Sequence, residues 1–210
     1  MIKILVADDH EIVREGLKQI VADTSDIVVA NEASTGQEVL HKISKSDYDV
    51  VLLDITMPGR SGLDILKELK SQKPEVHVLV LSMHPEDQYA IRVLKAGASG
   101  YLTKQSASEE LITAIRKVAA GGKYVSSYLG EKLASDLTTS NKKPKHQTLS
   151  DREYQVMCMI ASGKTTKEIS EELFLSVKTV HTYRFRIFEK MKMKSNAALT
   201  HYAIRNRLVD

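Results

Sequence analysis

Short apolar runs alternate with amphipathic stretches through the first 120 residues. The runs at Ile2–Ala7, Ile27–Ala30, Val50–Leu53, Val76–Leu81 and Gly100–Leu102 predict strands, each too short for a buried helix and bounded by polar or turn residues. Between them the pattern predicts helices at Glu11–Ala22, Gly36–Ser44, Gly62–Ser71, Glu86–Ala96 and Ala107–Ala120. In the first helix Ile12, Val13, Leu17, Ile20 and Val21 recur at helical spacing; in the last, Leu111, Ile112, Ile115, Val118 and Ala119 do the same. Val50–Leu53 carries no polar residue, so that strand is buried on both faces. Five strands regularly separated by helices predict an α/β doubly wound, five-stranded parallel sheet.

The pattern then changes. Gly121–Gly122 closes the last of these helices, SSYLGEKLASDL can add a short one, and the polar, basic TTSNKKPKHQT reads as linker. Beyond it every periodic stretch is helical. Ser150–Asp151–Arg152–Glu153 and Thr165–Thr166–Lys167–Glu168 have the form of capping boxes, and Gly163 is a plausible stop between them. Ser176 can cap a third helix, Val177–Met191, and a fourth covers about Ala197–Asn206. Two short helices joined by a tight turn, inside a four-helix unit, predict an all-α helix-turn-helix domain. The expected organisation is a first domain at residues 1–121, a linker at 122–147 and the helical domain at 148–210.

Charge follows the same division. Residues 142–210 hold 14 Lys and Arg against 7 Asp and Glu; the remainder of the chain holds 16 of the 30 basic residues and 20 of the 27 acidic ones. A front of −4 and a back of +7 suggest different partners, although unequal solvated faces would give the same balance. The single cysteine, Cys158, excludes an intramolecular disulfide and sits in the apolar run VMCMIA, as a core residue would. MIKILVADD turns acidic too soon for a signal peptide, and no apolar run approaches membrane-spanning length, so a cytoplasmic protein without membrane contact is expected.

Candidate chemistry gathers at the carboxyl ends of the predicted strands, where ligands bind in such sheets. Asp8 and Asp9 follow the first strand, Asp54 the third, Ser82 the fourth and Lys104 the fifth. A single acidic residue at a strand end is most often a turn or a helix cap. The joint pattern is more specific. Three clustered carboxylates need a cation, and hard oxygen ligands suit Mg²⁺. One carboxylate can then act as a nucleophile toward phosphorus, with lysine and hydroxyl holding the phosphoryl oxygens.

Residues 1–120, through VADDH, LLDITMPGRSG, LVLSMH and GASGYLTK, resemble the CheY-like receiver domain of bacterial two-component response regulators. The resemblance implies that Asp54 accepts a phosphoryl group from a phosphohistidine on a cognate sensor histidine kinase. It implies that Asp9, Asp54 and the backbone carbonyl of Thr56 bind Mg²⁺, with Asp8 assisting through water. Ser82 and Lys104 would contact the phosphoryl oxygens, Tyr101 would be the aromatic switch, and the side chains of Thr56 and His84 would tune the access of attacking water. Gln105 departs from the proline that often follows the lysine in receivers. The chain would then be a phosphoacceptor, with self-phosphotransfer and autodephosphorylation as its only chemistry. A Mg²⁺-dependent phosphatase of the haloacid-dehalogenase type also uses a strand-end aspartate. This chain reads DITMP, placing Thr56 where that family has its general acid.

Residues 148–210, through LSDREYQVMCMIASGKTTKEISEELFLSVKTVHTYRFRIFEKM, resemble the LuxR-type helix-turn-helix domain, and the two together resemble the NarL/FixJ family. On the third helix Val180, Ile187 and Met191 form one stripe flanked by Tyr183 and Arg184, positions where His and a branched aliphatic are more frequent in the family. Lys178, His181, Thr182, Phe185, Arg186 and Glu189 lie on or toward the opposite side, and Thr179 near its start. Lys178, Thr179, His181, Thr182, Phe185 and Arg186 are the candidate DNA contacts. Phe185 could meet a thymine methyl, or could pack on the linker, a neighbouring helix or a partner chain; the basic residues could neutralise phosphates or form a solvated face. The implied partners are double-stranded DNA at inverted-repeat sites, a second copy of the phosphorylated chain, and RNA polymerase.

Overall fold

The computed structural model describes residues 1–138, 144–206 and 208–209. They form two compact units, Met1–Lys132 and Leu133–Asp210. In the first, strands β1 (Ile2–Ala7), β2 (Ile27–Ala33), β3 (Val50–Asp54), β4 (His77–Ser82) and β5 (Gly100–Thr103) alternate with helices α1 (Glu11–Ala22), α2 (Gly36–Lys45), α3 (Gly62–Gln72), α4 (Glu86–Lys95) and α5 (Ser108–Ala119). All strand pairs are parallel, in the order β2-β1-β3-β4-β5.

The apolar strands explain the layering. Alternate residues of a strand face opposite sides. Ile4, Val6, Val50, Leu52, Leu79, Leu81 and Leu102 pack with Leu17 and Val21 of α1 and with Leu111, Ala114, Ile115 and Val118 of α5. Leu5, Val51, Leu53, Val78 and Val80 alternate with them and are equally buried, leaving the other face of the sheet for α2, α3 and α4. The edge strand β2 runs three residues beyond its apolar core because its polar end is occupied. Asn31 donates to the Tyr48 hydroxyl at 2.9 Å, and Glu32 pairs with Arg14 at 3.1 Å and Lys18 at 2.6 Å.

Helix α6 (Ser127–Thr138) follows, within the span expected as linker; that span's residues 139–143 lie outside the described residues. The second unit contains a 3₁₀ turn at Lys145–Thr148 and helices α7 (Asp151–Ala161), α8 (Thr166–Glu172), α9 (Val177–Met191) and α10 (Asn196–Arg205). Both capping boxes form: Ser150 with Glu153 and Thr165 with Glu168 satisfy free N–H groups at the starts of α7 and α8. Gly163 takes φ 86° directly after α7. Ser176 accepts the Thr179 N–H and starts α9. The core joins Tyr154, Met157 and Ile160 of α7 to Ile169, Val180, Ile187, Met191, Leu199 and Ala203, and Cys158 is buried as expected.

Candidate functional site

The sheet changes direction at β1 and β3, whose neighbours lead outward to β2 and to β4, and the carboxyl ends of those two strands are where ligands bind in such sheets. Register places the candidate residues there. Ala7 pairs with Leu53, so Asp8 and Asp54 lie one step past the same rung. Asp54 pairs with Leu81 and Ser82 with Thr103, so Ser82 and Lys104 lie one step further.

Asp8 and Asp54 are 2% and 1% exposed, and the Lys104 ammonium bridges them, 2.5 Å from Asp8 Oδ2 and 2.7 Å from Asp54 Oδ2. Burial acts to lower the lysine's pKa, but the carboxylates of Asp54 and Asp8 outweigh it and hold the pKa above the ordinary 10.5. On the other oxygen, Asp54 Oδ1 accepts the Thr56 N–H at 2.8 Å and the Thr56 hydroxyl at 2.6 Å. The loop carrying Thr56 passes so close to α3 that a Cβ on Gly62 would lie 2.4 Å from the Ile55 Cα. Glycine there lets the acidic loop fold back on the helix.

One ligand atom each from Asp8, Asp9, His10 and Asp54 lies within 4.8 Å of the others. Asp9 Oδ1 is buried without a hydrogen bond, and His10 Nδ1 lies 3.0 Å from it, an ion pair only when the imidazole is protonated. A buried, unsatisfied carboxylate oxygen beside two further carboxylates fits a hard divalent cation. Sequence reasoning missed His10, whose N–H and ring both reach Asp8 Oδ1, at 2.9 and 3.2 Å; its place directly after the acidic pair was the available signal.

Ser82 is fully buried, and its Oγ accepts the His84 N–H at 3.1 Å. Tyr101 is also fully buried and donates its hydroxyl to the His84 carbonyl at 2.7 Å, while the His84 ring stacks on Tyr89 at 4.6 Å. These residues form one connected group between the acidic pocket and the start of α4. Among the described residues no peptide bond is cis, including that joining Lys104 to Gln105.

The second unit presents the other set of candidates along α9. Val180, Ile187 and Met191 are buried, whereas Lys178, His181, Thr182, Phe185, Arg186 and Glu189 are exposed. Phe185 is 68% exposed, so neither the linker nor a neighbouring helix covers it among the described residues. Thr179 is half-buried and its hydroxyl meets Ser176 at 2.8 Å, as part of the helix cap. Arg184 turns away from the exposed face, donating to Asn196 at 3.2 Å and lying over the Phe188 ring at 4.9 Å. Lys190 pairs at 2.6 Å with Glu153, fixing the end of α9 to the start of α7.

Comparison with known proteins agrees with both halves. The response regulator receiver domain matches residues 4–116, and the luxR family of bacterial regulatory proteins matches residues 147–203. The response regulator UvrY of Escherichia coli (strain K12) is 39% identical over 211 residues, covering 100% of this chain and 97% of its own. The response regulator GacA of Pseudomonas viridiflava is 40% identical over 212 residues, covering 100% and 99%. Among solved structures, RcsB from Salmonella enterica serovar Typhimurium, bound to promoter rprA in the presence of the phosphomimetic BeF3−, superposes with TM-score 0.67 at 25% identity over 96% of this chain and 98% of that one. The response regulator ChrA of a heme-sensing two-component system gives 0.53 at 28% identity, over 99% and 98%. The described residues contain no helix long and apolar enough to cross a membrane. A strand-end acidic pocket on a parallel sheet, followed by a basic helix-turn-helix, thus belongs to a two-component response regulator of the NarL/FixJ family, with a receiver domain and a LuxR-type DNA-binding domain.

Proposed function

We propose that Asp54 is the phosphoacceptor and that its phosphorylation controls the binding of α9 to DNA. The observation that carries the first part is the Lys104 ammonium, held between two buried carboxylates at the sheet's switch point. An Asp54 carboxylate oxygen attacks the phosphorus of a phosphohistidine on the sensor kinase; the P–N bond breaks, a P–O bond forms, and the imidazole leaves. Lys104 then exchanges its Asp54 contact for a phosphoryl oxygen, and Ser82, one strand away, supplies a hydroxyl donor. Asp9, Asp54 and the Thr56 carbonyl would hold Mg²⁺, with Asp8 assisting through water. Bound there, the cation would offset the pocket's negative charge and that of the transferring group. Thr56, whose hydroxyl touches Asp54, and His84 set how readily water reaches the acyl phosphate.

Phosphoryl contact with Ser82 alters the hydrogen bonds that join it to His84 and Tyr101, and so the start of α4. The altered receiver favours a homodimer, which places two copies of α9 on an inverted repeat and raises affinity by linking two modest binding events. Lys178 and Arg186 neutralise phosphates, Thr179, His181 and Thr182 approach the groove, and the exposed Phe185 ring meets a thymine methyl. RNA polymerase is a further partner, and the cytoplasm, where kinase and DNA meet, is the place of action. No phosphatase role is required, since Thr56 replaces the general acid that such an enzyme needs.

The test is incubation with acetyl phosphate and Mg²⁺, read by intact mass. Wild type should gain one phosphoryl group, and Asp54→Asn and Asp54→Ala none. Labelling of either variant at the wild-type level would overturn the assignment.

A further inference from the structure

We propose that residues 123–129 form a strap across the β5 edge and α4, latched by Ser126 on Glu86, and that the phosphoryl state of Asp54 controls the latch. The inference rests on the acceptor reading above and adds an internal docking surface to it. β5 is an edge strand, and the chain after α5 returns to cover it. Lys123 Nζ donates to the Ala98 carbonyl at 2.8 Å, the Tyr124 N–H donates to the Ser99 carbonyl at 2.8 Å, and Tyr124 bridges Gly100 in parallel. A Cβ on Gly100 would lie 2.8 Å from the Tyr124 carbonyl oxygen and 2.9 Å from its Cβ, so the strap needs glycine beneath it. The Tyr124 hydroxyl donates to Glu110 at 2.9 Å, and burial followed by that carboxylate pushes the phenol up to about 12.

Ser126 is the hinge of the device. Its hydroxyl donates to Glu86 of α4 while accepting the Leu129 N–H at 3.1 Å, and Leu129 is fully buried. Glu86 begins the helix that directly follows His84 and Pro85. A continuous set of contacts therefore runs from Ser82 to the His84 amide, from the His84 carbonyl to Tyr101, and through the first residue of α4 to the strap. The Ser82 hydroxyl has one proton to donate, and a phosphoryl oxygen is a stronger acceptor than any neutral group. Turning toward it changes how Ser82 holds the His84 amide, shifts the start of α4 and parts Glu86 from Ser126. Loss of the latch weakens the hold on residues 123–129, and their release would lengthen the tether to the second unit by up to about 25 Å at full extension, which widens the reach of α9 toward a second half-site.

Hydrogen exchange at the Tyr124 and Leu129 amides, with Asp54 occupancy read by mass on the same samples, tests this. Phosphorylation by acetyl phosphate and Mg²⁺ should speed both amides at least about tenfold, the loss of a charge-assisted bond. Unphosphorylated Glu86→Ala should show the same fast exchange, label normally at Asp54, and bind DNA at least about fivefold tighter than unphosphorylated wild type. Phosphorylated Asp54 with both amides still slow would overturn the strap while leaving the acceptor assignment intact. Fast amides in Glu86→Ala with unchanged DNA affinity would overturn its control of binding. An unlabelled Asp54 would overturn the acceptor assignment, and the control with it.

Discussion

Replacing Lys104 by methionine keeps an unbranched stem of about the lysine's alkyl length and removes the cation between Asp8 and Asp54. Both carboxylates are at most 2% exposed, and the ammonium sits 2.5 and 2.7 Å from them. Breaking a buried pair from one side costs about 3–5 kcal/mol. The upper end is not reached, because one carboxylate can take up a proton instead, at about 1.4 kcal/mol per unit of pKa rise. The lysine's own pKa is raised above 10.5, so its contribution is complete at neutral pH and is lost only as pH climbs through that raised value. The expected cost in metal-free buffer at pH 7 is about 3 kcal/mol, or roughly 10 °C in the melting of the receiver unit. Mg²⁺ stabilises both proteins but should narrow the gap, since it meets no competing ammonium in the variant and binds it more tightly; a tenfold difference in Kd is worth about 1.4 kcal/mol at saturating Mg²⁺. Urea unfolding of both proteins, with EDTA and with excess Mg²⁺, measures the gap. A gap that is absent in EDTA, or that survives Mg²⁺ undiminished, would refute the view of Lys104 as the pocket's resident counter-charge.

Thr56→Ala removes the hydroxyl 2.6 Å from Asp54 Oδ1 and should shorten the acyl phosphate's lifetime severalfold, as read by decay of the phosphorylated mass; an unchanged lifetime would count against a role in admitting water. Phe185→Ala should lose about 1–2 kcal/mol of discrimination at one T·A position. Lys178→Ala should weaken all DNA alike and reduce the salt slope by about one, so titrations on matched and scrambled duplexes separate the two roles. Glu153 is buried, which alone would raise its carboxyl, but hydrogen bonds from Lys190 and Ser150 hold it below the usual 4.5. Its contribution is present above 4.5 and lost as pH falls through the lowered value, so Glu153→Gln should cost about 1.5–3 kcal/mol at pH 7 and flatten the acid limb of the DNA-binding unit's stability.

The strands, helix caps and wheel of α9 were legible because each depends on residues close in sequence. Ser150, Thr165 and Ser176 cap as their spacing predicts, and Val180, Ile187 and Met191 are the buried stripe. Asp8, Asp9, Asp54, Ser82 and Lys104 were legible as strand ends, since a parallel sheet brings those ends together. What escaped depends on contacts distant in sequence. β2 extends through Asn31–Ala33 because Tyr48, Arg14 and Lys18 satisfy a polar end that no local pattern marks as strand. Tyr124 reads as linker until Ser99 and Glu110, 25 and 14 residues away, are seen to hold it. The bridging of Asp8 by Lys104 likewise needs the fold, because nothing between residues 8 and 104 signals which carboxylate the lysine meets.

One phosphoryl group on Asp54 should change what the second unit does. Titration of an inverted-repeat duplex, with sedimentation on the same samples, should show tighter binding and stronger self-association for acetyl phosphate-treated wild type, and no change for treated Asp54→Asn. Equal affinity and equal self-association of phosphorylated and unphosphorylated wild type would contradict it.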